Sequence, residues 1–279
     1  MNMELVFRHW DLFVGGIWVT IHLTVIAVGV GFAIAVPAAL SIVRGGRLSP
    51  LVRGYVYVFL GTPLLVQTYL IYYGLSQFDV VRDSWFWRPP DFLPELCVPY
   101  WWPANDRVDG VILKAREVCL GDLWPSLRDA WWCVVITFSL NSGAYGAEIM
   151  RGAIATTPKG ELEGARALGL TERQVTWLVL IPSALRRALP QYGNEVVFML
   201  HSTVVASVIT IQDILGVGRT VNAKYYVSYE GLLTAAALYM IITYLTVTLF
   251  RQVERRYLRH LSLDSGRRTK QFDLGAGVP

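Results

Sequence analysis

LFVGGIWVTIHLTVIAVGVGFAIAVPAALSIV, residues 12–43, runs for 32 positions between Asp11 and Arg44 without a formal charge. A bilayer core about 30 Å thick needs only about 20 residues of helix to cross it, so this stretch predicts one tilted or overlong membrane span. Working outward, residues 54–78, 130–147, 196–212 and 231–250 are also free of charge and bounded by ionisable residues. The pattern predicts an all-α transmembrane bundle of five helices, over about 12–43, 54–78, 130–147, 191–212 and 231–250. The shortest charge-free runs have 17 and 18 residues, which leaves open a four-span reading with one helix packed inside a partner bundle. Composition agrees: 54% of residues are hydrophobic and only 16% charged, against about 25% charged in ordinary soluble domains. That balance excludes disorder and disfavours a water-soluble enzyme. A cleavable signal peptide is not expected, because no basic region precedes a short apolar stretch at the N-terminus.

The chain's 25 Lys and Arg fall unequally between the loops. Sixteen lie in 44–53, 148–190 and the tail from Arg251, and nine lie on the opposite side. The positive-inside rule puts the sixteen in the cytoplasm, with residues 1–11 outside and the C-terminus inside. Residues 79–129 then form an external insert, acidic with nine Asp and Glu against six Lys and Arg. Its prolines and the run Tyr100-Trp101-Trp102 predict a loop-rich cap with an interfacial anchor. Two of the three cysteines, Cys97 and Cys119, lie there, where thiols are oxidised. They are a candidate disulfide, the alternative being two small buried hydrophobes. Cys133, inside the third span, reads as packing. The tail 261–279 is polar and predicts disorder, after a basic juxtamembrane stop facing anionic headgroups.

Several chemistries lack their motifs. No Gly-x-x-x-x-Gly-Lys string occurs, so the chain has no P-loop for ATP. Cys-x-x-Cys and His-Glu-x-x-His are absent and the four histidines are scattered, so no metal site is expected. No nucleic-acid partner is expected either. Gly29, Gly31, Gly216 and Gly218 do not complete a dinucleotide fingerprint and read as points of close helix approach.

The most informative loop is 157–182. Thr157-Pro158 offers an N-cap followed by proline at the first helical position, and the helix that follows reaches Gly169, a natural stop. Thr171-Glu172-Arg173-Gln174 is a capping box that opens a second helix, expected to end at Pro182. Two short helices joined at a glycine make a rigid protrusion suited to a groove on another protein. Small residues Gly164 and Ala165 permit close approach there, and Glu163 and Arg166 supply rim contacts. An amphipathic loop lying on lipid headgroups is the competing reading.

Glu163-Gly164-Ala165-Arg166-Ala167-Leu168-Gly169, nine residues, then Val179-Leu180-Ile181-Pro182 resembles the EAA loop of ATP-binding-cassette importer permeases. Gly164, Val179 and Ile181 depart from that pattern with size or apolarity kept. Leu60-Gly61-Thr62-Pro63-Leu64 with Gln67, the string from Ala144 to Gly152, and the segment Pro182 to Pro190 are similar to polar amino acid permeases. Asn194-Glu195-Val196 and Leu200-His201-Ser202-Thr203 look most like the histidine, lysine, arginine, ornithine type and its opine-uptake relatives. The insert, about 80–127, is longer than that family suggests.

The resemblance implies a permease of five or six helices in a bacterial inner membrane. It implies a second, similar permease, two ATPase subunits that bind ATP and Mg, and a soluble periplasmic binding protein. Glu163, Gly164, Ala165, Arg166, Gly169 and Pro182 would then couple to the ATPase.

Strongly polar residues in spans are costly and mark an aqueous path or a bundle interior. Glu148 suits a cationic guanidinium or ammonium group; its alternative is an ion pair with Arg151 at i+3. Glu195 and Ser202 share a helical stripe, with His201 and Thr203 beside them. Asn141 and Tyr145, four apart, are candidate donors near Glu148, and Gln67 is a candidate after the Pro63 kink; interhelical bonding and a satisfied kink explain them as well. A secondary transporter or channel driven by an ion gradient is the competing function class.

Overall fold

The first charge-free run folds as one helix, α1 (Trp10–Arg44), in the computed structural model, which describes residues 8–74, 97–106, 110–119, 130–227 and 229–257. Its 35 residues extend about 52 Å at 1.5 Å per residue, longer than a bilayer core. It stops where Gly45 takes φ +70 and donates its N–H to the Ser41 carbonyl at 3.2 Å. Only glycine adopts that left-handed turn without a Cβ penalty.

The second run does not form one span. It breaks into α2 (Ser49–Gly61) and α3 (Leu64–Tyr69, prolonged by a π turn over Leu70–Gly74), bent by 108°. Pro63 forces the residue before it out of the helical region, and Thr62 is extended at φ −117, ψ 142. The expected single helix over 54–78 is corrected accordingly, and residues 75–78 lie outside the described part.

α4 (Ala130–Ala155) occupies the middle of the bundle, against α1, α2 and α6 (Glu172–Ile209). Trp131, Val134, Phe138 and Met199 bury almost completely with Leu23 of α1, and Cys133 of α4 is buried at 4% exposure. α4 continues eight residues past the expected end at 147, so Glu148 lies within a helix. Gly31 lets α1 approach it: a Cβ there would stand 2.8 Å from the Cβ of Ser142 and 2.9 Å from the backbone nitrogen of Gly143. Among the described residues three helices, α1, α6 and α8 (Glu230–Tyr257), are long and apolar enough to cross a membrane, and the bent α2–α3 pair makes a fourth candidate.

The second short helix of the 157–182 loop, which with the first makes an elbow, and the helix expected over 191–212 are continuous. After α5 (Lys159–Ala167) and the Gly169 turn, helix runs from Glu172 to Ile209. It passes through π geometry at Val175–Leu180, α geometry at Ile181–Ser202 and 3₁₀ geometry at Thr203–Ile209. Pro182 therefore does not end the second short helix as expected. It sits inside the continuous helix, directly after the π turn, whose shifted hydrogen-bond register accommodates a residue without an N–H.

Residues 214–225, expected in an external connection, form α7 (Ile214–Tyr225). Ile214, Val217 and Val221 join Phe13 of α1 and Leu238 of α8 in a buried cluster. Gly218 meets Gly231 at this crossing, where a Cβ on Gly218 would stand 2.7 Å from the Gly231 carbonyl oxygen. Gly218→Val is expected to force α7 off α8 and to cost about 1–3 kcal/mol by overpacking, read as a lower thermal midpoint in detergent.

Within the insert, β1 (Cys97–Asp106) pairs antiparallel with β2 (Gly110–Cys119). The helical body thus carries a two-stranded hairpin where a loop-rich cap was expected. The tail 261–279 and residues 1–7 lie outside the described residues.

Candidate coupling elbow and translocation path

Gly169 has φ +81, and its N–H bonds the Arg166 carbonyl at 2.9 Å while the Leu170 N–H reaches the Ala165 carbonyl at 3.4 Å. These bonds close α5 as a left-handed cap that glycine permits. The capping box is present: Thr171 N–H donates to Gln174 Oε1 at 2.9 Å, and Thr171 Oγ1 accepts from the Gln174 N–H at 3.4 Å. Across the turn, Arg166 grips Glu172 at two points, Nε to Oε1 at 2.7 Å and Nη2 to Oε2 at 3.2 Å. The Arg166 guanidinium, chiefly through its hydrogen bond, holds the Glu172 carboxyl below the ordinary glutamate range. Both side chains are exposed to solvent, so the pair sets the angle of the elbow more than its stability. The sign follows: the clip is complete above the usual glutamate pKa and loosens only as pH falls through the lowered one.

The elbow is rooted in the bundle. Arg187 donates to Thr157 Oγ1 at 3.0 Å and to Ser183 Oγ at 2.6 Å, and Ser183 in turn donates to Glu161 at 2.5 Å. Arg44, the last residue of α1, donates to Thr176 Oγ1 at 2.8 Å. Thr157 is occupied by Arg187 and by the Ala153 carbonyl at 3.2 Å, so it does not cap α5 as expected. Pro158 precedes the helix instead, with φ −59 and ψ 129. Pro182 lines a cleft of about 340 Å³ with Glu161, Leu178 and Arg186. Of the elbow's residues Ala165 is buried, whereas Glu163, Gly164, Arg166 and Gly169 are exposed. Leu168, Trp177 and Leu178 are 84%, 55% and 64% exposed, an apolar tip that water disfavours.

The residues selected for the path fall into separate groups. Glu148 pairs with Arg151 through two hydrogen bonds, Nε to Oε2 at 2.8 Å and Nη2 to Oε1. Together they line a groove of about 870 Å³ with Arg53, Tyr57, Leu60 and Gly61. Gln67 and Asn141 form a second group: Gln67 Nε2 donates to the Phe59 and Thr62 carbonyls, both at 2.9 Å, and to Thr62 Oγ1 at 2.7 Å. Its Oε1 accepts from Asn141 Nδ2 at 3.1 Å. One amide thereby serves carbonyls that the break after α2 leaves open and ties the bend to α4. Gln67→Leu is expected to leave these groups unpaired and cost about 1–3 kcal/mol, checked by the thermal midpoint of the purified protein.

Tyr145 packs its ring against Phe198 at 5.7 Å between centroids. Glu195 is buried at 5% exposure against Ser142, with Oε1 unpartnered. Ser202 bonds the Phe198 carbonyl of its own helix at 2.8 Å, and His201 Nε2 meets Thr243 Oγ1 of α8 at 2.8 Å. Thr203 contacts the Tyr239 hydroxyl at 3.1 Å.

That last contact leads to residues the sequence reading passed over. Tyr239 donates to Asp213 Oδ2 at 2.6 Å, and Asp213 Oδ1 accepts from the Gly216 N–H at 2.8 Å. Asp213 is fully buried and is the N-cap of α7; its carboxylate ties α7 to α8, and the Tyr239 hydroxyl it holds meets Thr203 of α6. The available signal was Asp before an apolar run opening Ile-Leu-Gly-Val, a helix start hidden by treating 213–230 as a loop.

Residues 27–259 match the family model described as binding-protein-dependent transport system inner membrane component. The octopine transport system permease protein OccM of Rhizobium radiobacter is 36% identical over 251 residues, 88% of this chain and 86% of that protein. The histidine/lysine/arginine/ornithine transport system permease protein HisM of Escherichia coli strain K12 is 32% identical over 251 residues, covering 90% of each. The crystal structure of an amino acid ABC transporter with histidines superposes with a TM-score of 0.69 at 27% identity, covering 92% of this chain and 99% of that one. The MetNI methionine ABC transporter, at 18% identity and a TM-score of 0.62, shares the fold. With five-sixths of its length inside the family model and relatives above 30% identity along nearly all of it, the chain belongs to the binding-protein-dependent transport system inner membrane component family.

Proposed function

We propose that this chain is the permease subunit of an ATP-driven importer in a bacterial inner membrane, carrying cationic amino acids or opines from periplasm to cytoplasm. The observation that carries the reading is the elbow: two helices set by the Gly169 turn, clipped by Arg166–Glu172 and rooted through Arg187 and Arg44, presenting an exposed apolar tip. Its occupant is a groove on an ATPase subunit that binds ATP and Mg. Closure of the ATPases moves the elbow, and α6, continuous with it, carries the motion into the bundle. A second permease packs beside this one, and a periplasmic binding protein delivers cargo. The bundle crosses the membrane five times, counting α4, whose enclosure by neighbours relieves it of an apolar outer face. The N-terminus lies outside.

The cargo assignment draws on the names of the relatives and on the groove beside α4. Glu148 and Arg151 set an anionic acceptor next to a cationic donor, matching the two charged ends of an amino acid. Glu148→Gln is expected to raise the KM for uptake about tenfold, equivalent to about 1.4 kcal/mol, with assembly unchanged. An unchanged KM removes Glu148 from the path. The function itself is tested by co-expression with the cognate ATPase: a detergent-stable complex should form whose ATP turnover rises with loaded binding protein. A complex that still couples with residues 161–181 scrambled refutes the reading.

A further inference from the structure

We propose that Cys97 and Cys119 form an intramolecular disulfide that closes the hairpin of the external insert. The inference rests on the proposed topology, which sets residues 79–129 in an oxidising compartment. Of the ten residue pairs in the β1–β2 ladder, the outermost, at the open end, is Cys97 opposite Cys119. Facing residues of an antiparallel pair have Cα atoms about 4.5 or 5.5 Å apart, and both separations fall within the roughly 4.4–6.8 Å that a disulfide spans.

The prolines of β1 choose between the two. Pro99 and Pro103 have no N–H to give, so a ladder that wastes no donor places the odd positions of β1 at the non-hydrogen-bonded sites. Cys97 shares that parity and faces Cys119 at the closer spacing. The remaining cysteine, Cys133, is buried in the core of α4 and is held away from exchange with either.

Bond formation is a two-electron oxidation. One S–S bond replaces two S–H bonds, and two electrons and two protons pass to the disulfide of an exported thiol oxidase, which leaves as a dithiol. The bond closes a loop from 97 to 119 and thereby constrains the unfolded insert, whose described residues form a two-stranded ladder of marginal stability by itself.

The test counts thiols on the full-length protein. Cells are quenched in acid, and the denatured protein is alkylated with N-ethylmaleimide and weighed by mass spectrometry. One alkylated cysteine is expected before reduction and three after it, with a peptide joining Cys97 to Cys119. Cys97→Ser is expected to raise the unreduced count to two. Its Cys119 should take a membrane-impermeant maleimide on spheroplasts with the outer membrane opened. Three alkylated cysteines before reduction, or a reducible dimer, overturn the disulfide. Protection of Cys119 from the impermeant reagent on spheroplasts, with labelling after lysis, instead overturns the topology on which it rests.

Discussion

Gly169→Val is expected to abolish the stimulation of ATP turnover by loaded binding protein in the assembled transporter, while the permease still inserts and accumulates in the membrane. Gly169 stands at φ +81, and it alone turns the chain from α5 into the capping box of Thr171. A residue with a Cβ pays about 1–2 kcal/mol there, and a β-branched one more. The chain is expected to relieve that strain by opening the turn, because α5 is held to the bundle mainly by Ala165 and by the Glu161–Ser183 and Glu161–Arg187 contacts. An opened turn separates Arg166 from Glu172 and changes the angle of the tip. Gly169→Asn should retain most of the coupling, since asparagine visits the left-handed region more readily than other side chains do. The measurement is ATP hydrolysis with and without loaded binding protein for both variants. Equal stimulation in Gly169→Val and wild type would mean that the turn is not what the partner reads.

Asp213→Ala should lower stability by about 2–4 kcal/mol. It removes a helix cap worth about 1 kcal/mol and strands buried partners at about 1–3 kcal/mol. The carboxylate bonds α7 and α8 directly and α6 through Tyr239 and Thr203, so the loss falls on the junction where the 3₁₀ end of α6 turns, through Thr210 at φ 78, into α7. Asp213→Asn is the informative companion. Its amide oxygen can keep the Gly216 N–H, and its nitrogen can donate to a Tyr239 hydroxyl that turns to donate to Thr203, so most stability should survive. Thermal unfolding of the purified protein in detergent distinguishes the two. A midpoint for the alanine variant matching wild type would show that the network carries no stability.

Much of this architecture is legible because charges are excluded from apolar spans. Asp11 and Arg44 bracket α1 within a residue or so, and Glu230 and Arg251 bracket the apolar part of α8. The elbow is legible for a different reason: Gly169 and the box from Thr171 to Gln174 are local signals that need no tertiary partner. What the sequence hides depends on such partners. The break at Thr62–Pro63 reads as a kink until Gln67 is seen serving the open carbonyls, which makes a 108° bend tolerable. Pro182 reads as a stop because the π turn before it leaves no mark in the residue pattern. α7 is missed because its apolar face is matched by Phe13, Ala235 and Leu238, residues distant in sequence. The path candidates are each visible as polar residues in apolar runs, yet their division into a Glu148–Arg151 groove, a Gln67–Asn141 tie and a His201–Thr243 contact depends on which helices meet.

The claim at the centre is that this chain supplies a gate and a separate ATPase supplies the work. The most direct measurement places the purified permease in sealed vesicles and follows the inward accumulation of radiolabelled arginine, with an ion gradient imposed. Cognate ATPase subunits, a companion permease, binding protein and ATP are then added in turn. The account predicts no accumulation against a gradient until the ATPase and ATP are present. Concentrative uptake by this chain alone would contradict it.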